Sequence, residues 1–190
     1  MKKIKNILVF FCIFGVFIFN NSYAKSYQID DAKSKITFSA FHAGNQFIGE
    51  IKKYQSKIDF DQKNLKNSKI EVIFDMNSFK TGNDMYDETL PTNDWFDIKN
   101  HPEGYFKAIK IIKNSNNNFK MIGNLTIKNI TKEINFDFNL KNITKNIVHA
   151  KSDFKINRLD FNIGRDSDDS GEWVDLKIDI NLNLIAKLSE

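Results

Sequence analysis

The sequence predicts an all-β fold: an antiparallel meander of about eight strands, closed into a barrel or folded as a sandwich, with one short helical insert. Three observations predict it. Apolar and polar residues alternate over most of the chain after Lys25, as on half-buried strands. Clusters of Asn, Asp, Gly and Lys punctuate that alternation at short intervals. One segment, Asp84 to Phe106, breaks the pattern and holds both prolines of the chain and one of its two tryptophans.

The N-terminus precedes the fold. Lys2, Lys3 and Lys5 lead into an uncharged apolar run, Ile7 to Phe19, and Ser22-Tyr23-Ala24 has the small-x-small pattern of a signal-peptidase site. Residues 1–24 are therefore expected to be a cleaved signal peptide and 25–190 a single β-barrel domain in the periplasm. The competing expectation is an uncleaved anchor, although the run is shorter than the ~20 apolar residues a membrane span needs. Cys12, in the middle of that run, is the only cysteine. The exported part then has no disulfide, thiolate metal site or cysteine nucleophile. Without Lys2, Lys3 and Lys5 the chain carries 25 basic against 24 acidic residues. A net charge of about +1 gives no reason to expect a nucleic-acid partner.

The strands follow in order. Ile36 and Phe38 share a face with Ala40 and His42. A strand from near Phe47 to Phe60 has Gly49 at a bend. Ile70, Val72 and Phe74 mark the next, and further strands are expected near 104–113, 118–127 and 147–158. Ile134, Phe136, Phe138 and Leu140 alternate with Glu133, Asn135, Asp137 and Asn139. Val174, Leu176, Ile178, Ile180, Leu182 and Leu184 do the same against Asp175, Lys177, Asp179, Asn181 and Asn183. Turns are expected at 61–67, 114–118, 128–131, 142–146 and 166–171. At Arg158 the apolar frame slips, from Phe154 and Ile156 to Leu159, Phe161 and Ile163, which predicts a β-bulge. A membrane barrel would turn the apolar faces outward, but the strands lack its aromatic girdles. The apolar-inside reading leaves two options, a packed core or a lumen holding one elongated apolar ligand.

The insert predicts a helix from Asp84, as its cap, to about Leu90, stopped by Pro91. Asp84, Asp87, Asp94 and Asp97 lie near His101 in sequence, which raises an acid-base or metal-assisted reaction. Capping and turn formation explain the same carboxylates. The three histidines share no ligand-like spacing, and no nucleophile elbow, zinc helix or phosphate loop is present. Metal sites, cofactors and catalysis are not expected.

Taken in order, these motifs resemble the YceI-like family of bacterial periplasmic polyisoprenoid-binding proteins. The resemblance runs from Tyr27-Gln28-Ile29-Asp30 through Ser34-Lys35-Ile36-Thr37-Phe38, His42-Ala43-Gly44 and Ile48-Gly49-Glu50. It continues through Ser78-Phe79-Lys80-Thr81-Gly82 and Asp94-Trp95-Phe96-Asp97 to His101-Pro102. Its most specific run is Gly123 to Lys132, and Arg158 to Gly164 completes it. His101 stands in place of the family's usual tyrosine, Asn129 of its glycine and Glu133 of its proline. The resemblance implies an extended lipocalin-like antiparallel barrel, not an enzyme, that binds, carries or stores a polyisoprenoid or other fatty-chain lipid in its lumen. The alternative is a non-catalytic stress-response or interaction module with a packed core. Candidate ligand contacts are Ile36, Phe38, His42, Phe47, Leu90, Trp95, Phe96, Phe106, Leu125, Phe136, Phe138, Ile156, Phe161, Leu176 and Ile178. The expected partner is an amphiphilic lipid, without nucleic acid or integral membrane span; transient contact with a membrane or membrane proteins and a homodimer stay open.

Overall fold

A computed structural model describes residues 24–141, 144 and 146–189. Residues 1–23 of the expected signal peptide, and 142, 143 and 145 of the expected turn at 142–146, lie outside the described residues. The strands are β1 (Lys25–Ile29), β2 (Lys35–His42), β3 (Asn45–Ile51), β4 (Tyr54–Phe60), β5 (Lys69–Asp75), β6 (Phe79–Lys80), β7 (Glu103–Ser115), β8 (Asn118–Ile127), β9 (Ile130–Lys141), β10 (Ile147–Asn157) and β11 (Lys177–Leu188). One α-helix, α1 (Asp84–Thr89), lies in the insert.

Every pairing is antiparallel. The ring runs β1-β4-β5-β7-β8-β9-β10-β11 and closes where β11 returns to β1, an eight-stranded barrel. The second edge of β11 is divided. Ala186 to Leu188 pair with β1, whereas Asp179 to Asn183 pair with β2. The strands β2, β3 and β6 therefore branch from the ring and continue its wall beyond the end of β1. The short pairing of β3 with β6, at Glu50–Lys80 and Ile51–Phe79, leaves a flank for the insert to cover. Closure leaves few open strand edges, which limits sheet-to-sheet aggregation.

Alternation becomes an inside and an outside. In β8, Phe119 and Met121 are buried, and in β9 Phe136, Phe138 and Leu140 are buried. Two aromatic cores result. One, at the insert end, joins Phe38, Phe47, Phe79, Leu90 and Val174. The other, toward the end where both described termini lie, joins Phe106, Phe119, Phe136 and Phe138. Phe136 stacks on Phe154 with ring centroids 4.3 Å apart.

Several expectations change. The strand expected from Phe47 to Phe60 is two strands, β3 and β4, parted at Lys52-Lys53. A hairpin turn at Ala43-Gly44, with φ of 48° and 80°, starts β3 earlier. Gly49 does not serve a bend; it faces Phe38, whose ring would lie 2.1 Å from an added Cβ. The slip at Arg158 is a strand end rather than a bulge. β10 stops at Asn157, whose side chain caps a 3-10 turn, Arg158–Phe161, by accepting from Leu159 N–H. The last strand begins at Lys177, so Val174 and Leu176 belong to the preceding loop. The cap of α1 is Asn83, which accepts from Tyr86 N–H, and not Asp84.

A lined cavity as the candidate binding site

Between and along the two cores runs a cavity of about 260 Å³ walled by inward side chains of the strands and by the insert. It is close to the smallest small-molecule sites, ~300 Å³. At the insert end Leu90, Trp95 and Phe96 close it, and at the termini end Tyr27, Val148 and Ala186 bound it. The walls are hydrocarbon, so they can hold an apolar chain by burial and can offer it few hydrogen bonds.

The sequence-derived candidates divide cleanly. Ile36, Phe38, Phe47, Leu90, Trp95, Phe96, Phe106, Leu125, Phe136, Phe138, Ile156 and Ile178 line the cavity. His42, Phe161 and Leu176 do not. His42 Nδ1 lies 3.0 Å from the hydroxyl of Tyr86, and Tyr86 stacks on Phe47, so this histidine holds helix α1 against the barrel. Phe161 is fully buried in the 3-10 turn after β10. Leu176, after the strand's true start moved to Lys177, packs against Gly171. Lining residues missing from the candidates include Phe74, Met121, Ala150, Phe154, Ile180 and Leu182. The alternation that found their neighbours marks most of them too.

The insert is fastened by contacts to the β8–β9 turn and to the turn and loop that follow β10. Arg158 is 1% exposed, and its guanidinium donates to the carbonyls of Ile163, Gly164 and Val174 at 2.8, 3.0 and 3.1 Å. It pairs with Asp168 at 2.9 Å and sits 5.6 Å over the Trp95 ring. Asp168 in turn accepts from the N–H of Glu172 and Val174. Burial works against the Asp168 carboxylate, but the Val174 N–H, the Arg158 charge and the Glu172 and Trp173 N–H groups together hold its pKa below the usual value. Asp94 bridges the insert to the same loop by accepting from Asp166 N–H at 2.9 Å and from the Ser167 hydroxyl at 2.6 Å. Its pKa is lowered too, against burial, by those hydrogen bonds and by Lys128. Lys128, at the β8–β9 turn, donates to the carbonyls of Asn93, Asp94 and Asn162. Asp87 accepts from Thr81 N–H and hydroxyl, both at 2.7 Å. Asp87 and Asp94 thus tie loops together, whereas Asp97 accepts from the Asn100 amide at 2.9 and 3.1 Å and faces His101 Nε2 at 3.5 Å. Among the described residues no group of three or more His, Cys, Asp or Glu is placed to hold a metal ion.

Residues 27–186 match the YceI-like domain. A UPF0312 protein of Vibrio parahaemolyticus is 30% identical over 117 residues, 60% of this chain and 62% of that relative's length. Protein YceI of Salmonella arizonae is 25% identical over 184 residues, 93% of this chain and 96% of its own. Among solved structures, BcnA of Burkholderia cenocepacia superposes with a TM-score of 0.78 at 24% identity, covering 83% of this chain and 99% of that one. The YceI protein of Campylobacter jejuni gives 0.68 at 28% identity, covering 75% and 85%. A polyisoprenoid-binding domain from Saccharophagus degradans shares the fold, with a TM-score of 0.70 at 10% identity over 87% of this chain and 99% of that one. With the matched domain spanning nearly the whole described barrel, the chain belongs to the YceI-like family.

Proposed function

We propose that this protein binds a polyisoprenoid or similar long-chain amphiphile in the barrel and carries or stores it in the periplasm. The observation that carries this reading is the cavity itself. It is apolar along its length and walled by residues from both aromatic cores. Each CH₂ buried there contributes about 0.8 kcal/mol, offset by the cost of ordering the chain. The Saccharophagus domain of the same fold is described as polyisoprenoid-binding. The periplasmic location rests on the charged start, apolar run and cleavage pattern of residues 1–24. Of the four aspartates that suggested chemistry, Asp87 and Asp94 are engaged in holding loops, which favours binding over catalysis.

A fluorescent long-chain fatty-acid probe tests this. Saturable uptake at one probe per barrel, displaced by unlabelled isoprenoid alcohols, is the expected result. Probe fluorescence that stays at its buffer value in the presence of folded protein contradicts the reading.

A further inference from the structure

The near-zero net charge of the domain conceals a separation of charge along the barrel. Strand register places one set of connections at the end where β1 begins and β11 finishes. Lys25 lies opposite Phe60, Tyr27 opposite Leu188, and Ile147 opposite Lys187. The β4–β5, β7–β8 and β9–β10 connections therefore share this end. Lys25, Lys63, Lys66, Lys69, Lys113 and Lys141 are exposed there. None makes an ion pair among the described residues. Among the described residues the acids of this end are fewer and engaged. Asp59 takes the Ser26 hydroxyl, Asp137 takes the Asn114 amide, and Asp61 is buried and accepts from Lys63 and Asn64 N–H. At the insert end acids are in excess, with Asp84, Glu88, Glu103, Glu133, Asp160, Asp166, Asp169, Glu172 and Asp175 exposed against Lys80, Lys99, Lys132, Arg165 and Lys177.

The cavity is bounded at the lysine-rich end by Tyr27, Val148 and Ala186, all half-buried; at the acidic end Leu90, Ile163 and Val174 are buried and the half-buried rings of Trp95 and Phe96 lie over them. Tyr27 makes no side-chain hydrogen bond among the described residues, and partial burial raises its pKa. Ile147 stands 40% exposed beside these residues.

We propose that the lysine-rich end docks on an anionic lipid surface and that amphiphile passes between that surface and the cavity through this end. The docking step follows from charge alone; the exchange step rests on the lipid-binding reading above. Lysines beside anionic headgroups are attracted over about a Debye length, and the six are spread round a hydrocarbon mouth rather than along a strip of stacking aromatics. The acidic insert end is repelled by the same surface, so the orientation is set from both sides.

The test uses the exported protein and vesicles of phosphatidylglycerol or of phosphatidylcholine. Co-sedimentation with the anionic vesicles at low salt, its loss at 0.5 M salt (roughly a 4 Å Debye length), and no co-sedimentation with the neutral ones are expected. The triple variant Lys63→Glu, Lys66→Glu, Lys141→Glu is expected to bind anionic vesicles at least tenfold more weakly. It keeps uptake of the fatty-acid probe from solution, which shows that it folds. Lys99→Glu, Lys132→Glu, Lys177→Glu at the other end is expected to leave vesicle binding within twofold. Equal losses in the two triple variants, equal binding to neutral vesicles, or tighter binding to a single-stranded oligonucleotide than to vesicles would overturn the proposal. Failure of the unsubstituted barrel to take up probe overturns the exchange step and the lipid reading, and the docking step is then judged by vesicles alone.

Discussion

Arg158 organises the loop that follows β10. Its five N–H donors are spent on carbonyls of Ile163, Gly164, Asp168, Val174 and Asp175 and on the Asp168 carboxylate, so a buried charge is fully hydrogen-bonded. Removing one partner of a buried pair costs more than the pair contributes. Arg158→Met is expected to lose about 3 kcal/mol, roughly 10 °C in Tm, measured by thermal unfolding. The frame slip at this residue was visible in the sequence. The partner, ten positions later in a loop, was not, because periodicity carries no information about loop contacts. Protonation gives a second prediction at this scale. Asp94 and Asp168 have folded pKa values below their unfolded ones, so their stabilisation is complete above the ordinary carboxylate range and is lost as pH falls from that range through their lower folded values. Below about pH 4 the emission of Trp95, half-buried against Arg158, is expected to shift before the far-ultraviolet signal of the barrel changes. Coincident transitions would contradict it.

Among the elements, the long strands were legible, as were the turns near 61–67, 114–118 and 128–131; the break inside 47–60 and the start of the last strand were not. β8, β9 and β11 show the alternation that burial demands, each with a wet outer face. The split of the 47–60 segment left one mark, a change of apolar frame from Phe47, Gly49 and Ile51 to Tyr54, Ile58 and Phe60 across Lys52-Lys53, two neighbours that a continuous strand would turn to opposite faces. Gly49 was legible as a glycine but not in purpose. It leaves room for the ring of Phe38 across the β2–β3 pair. Gly49→Ala is expected to displace that ring and to cost about 2 kcal/mol in denaturant unfolding, as overpacking does. The insert depends on Asp94 more than on its short helix, since a six-residue helix has little stability of its own. Asp94→Ala is expected to raise amide exchange across residues 84–102 while leaving β8 and β9 protected, as read by hydrogen–deuterium exchange. Uniform exchange across the barrel would show that the insert is not a separate unit.

For the whole molecule the deciding question was whether the inward faces pack together or line a space, and alternation reads the same for both. Closure of eight strands with two aromatic cores leaves a continuous lined cavity, and its occupant is the central claim. Ala150 is a small lining residue on β10, so Ala150→Trp is expected to fill the cavity and abolish uptake of the fatty-acid probe at unchanged fold. The same separation of scales explains the charge. A sum over the chain is nearly neutral, and only the strand register shows that its signs sit at opposite ends. The most direct measurement is native mass spectrometry, followed by solvent extraction, of the protein recovered from its own cells. One long-chain amphiphile per barrel, absent from Ala150→Trp prepared in parallel, is the predicted result. A native barrel with the mass of the polypeptide alone, matching that of the filled variant apart from the substitution, would contradict it.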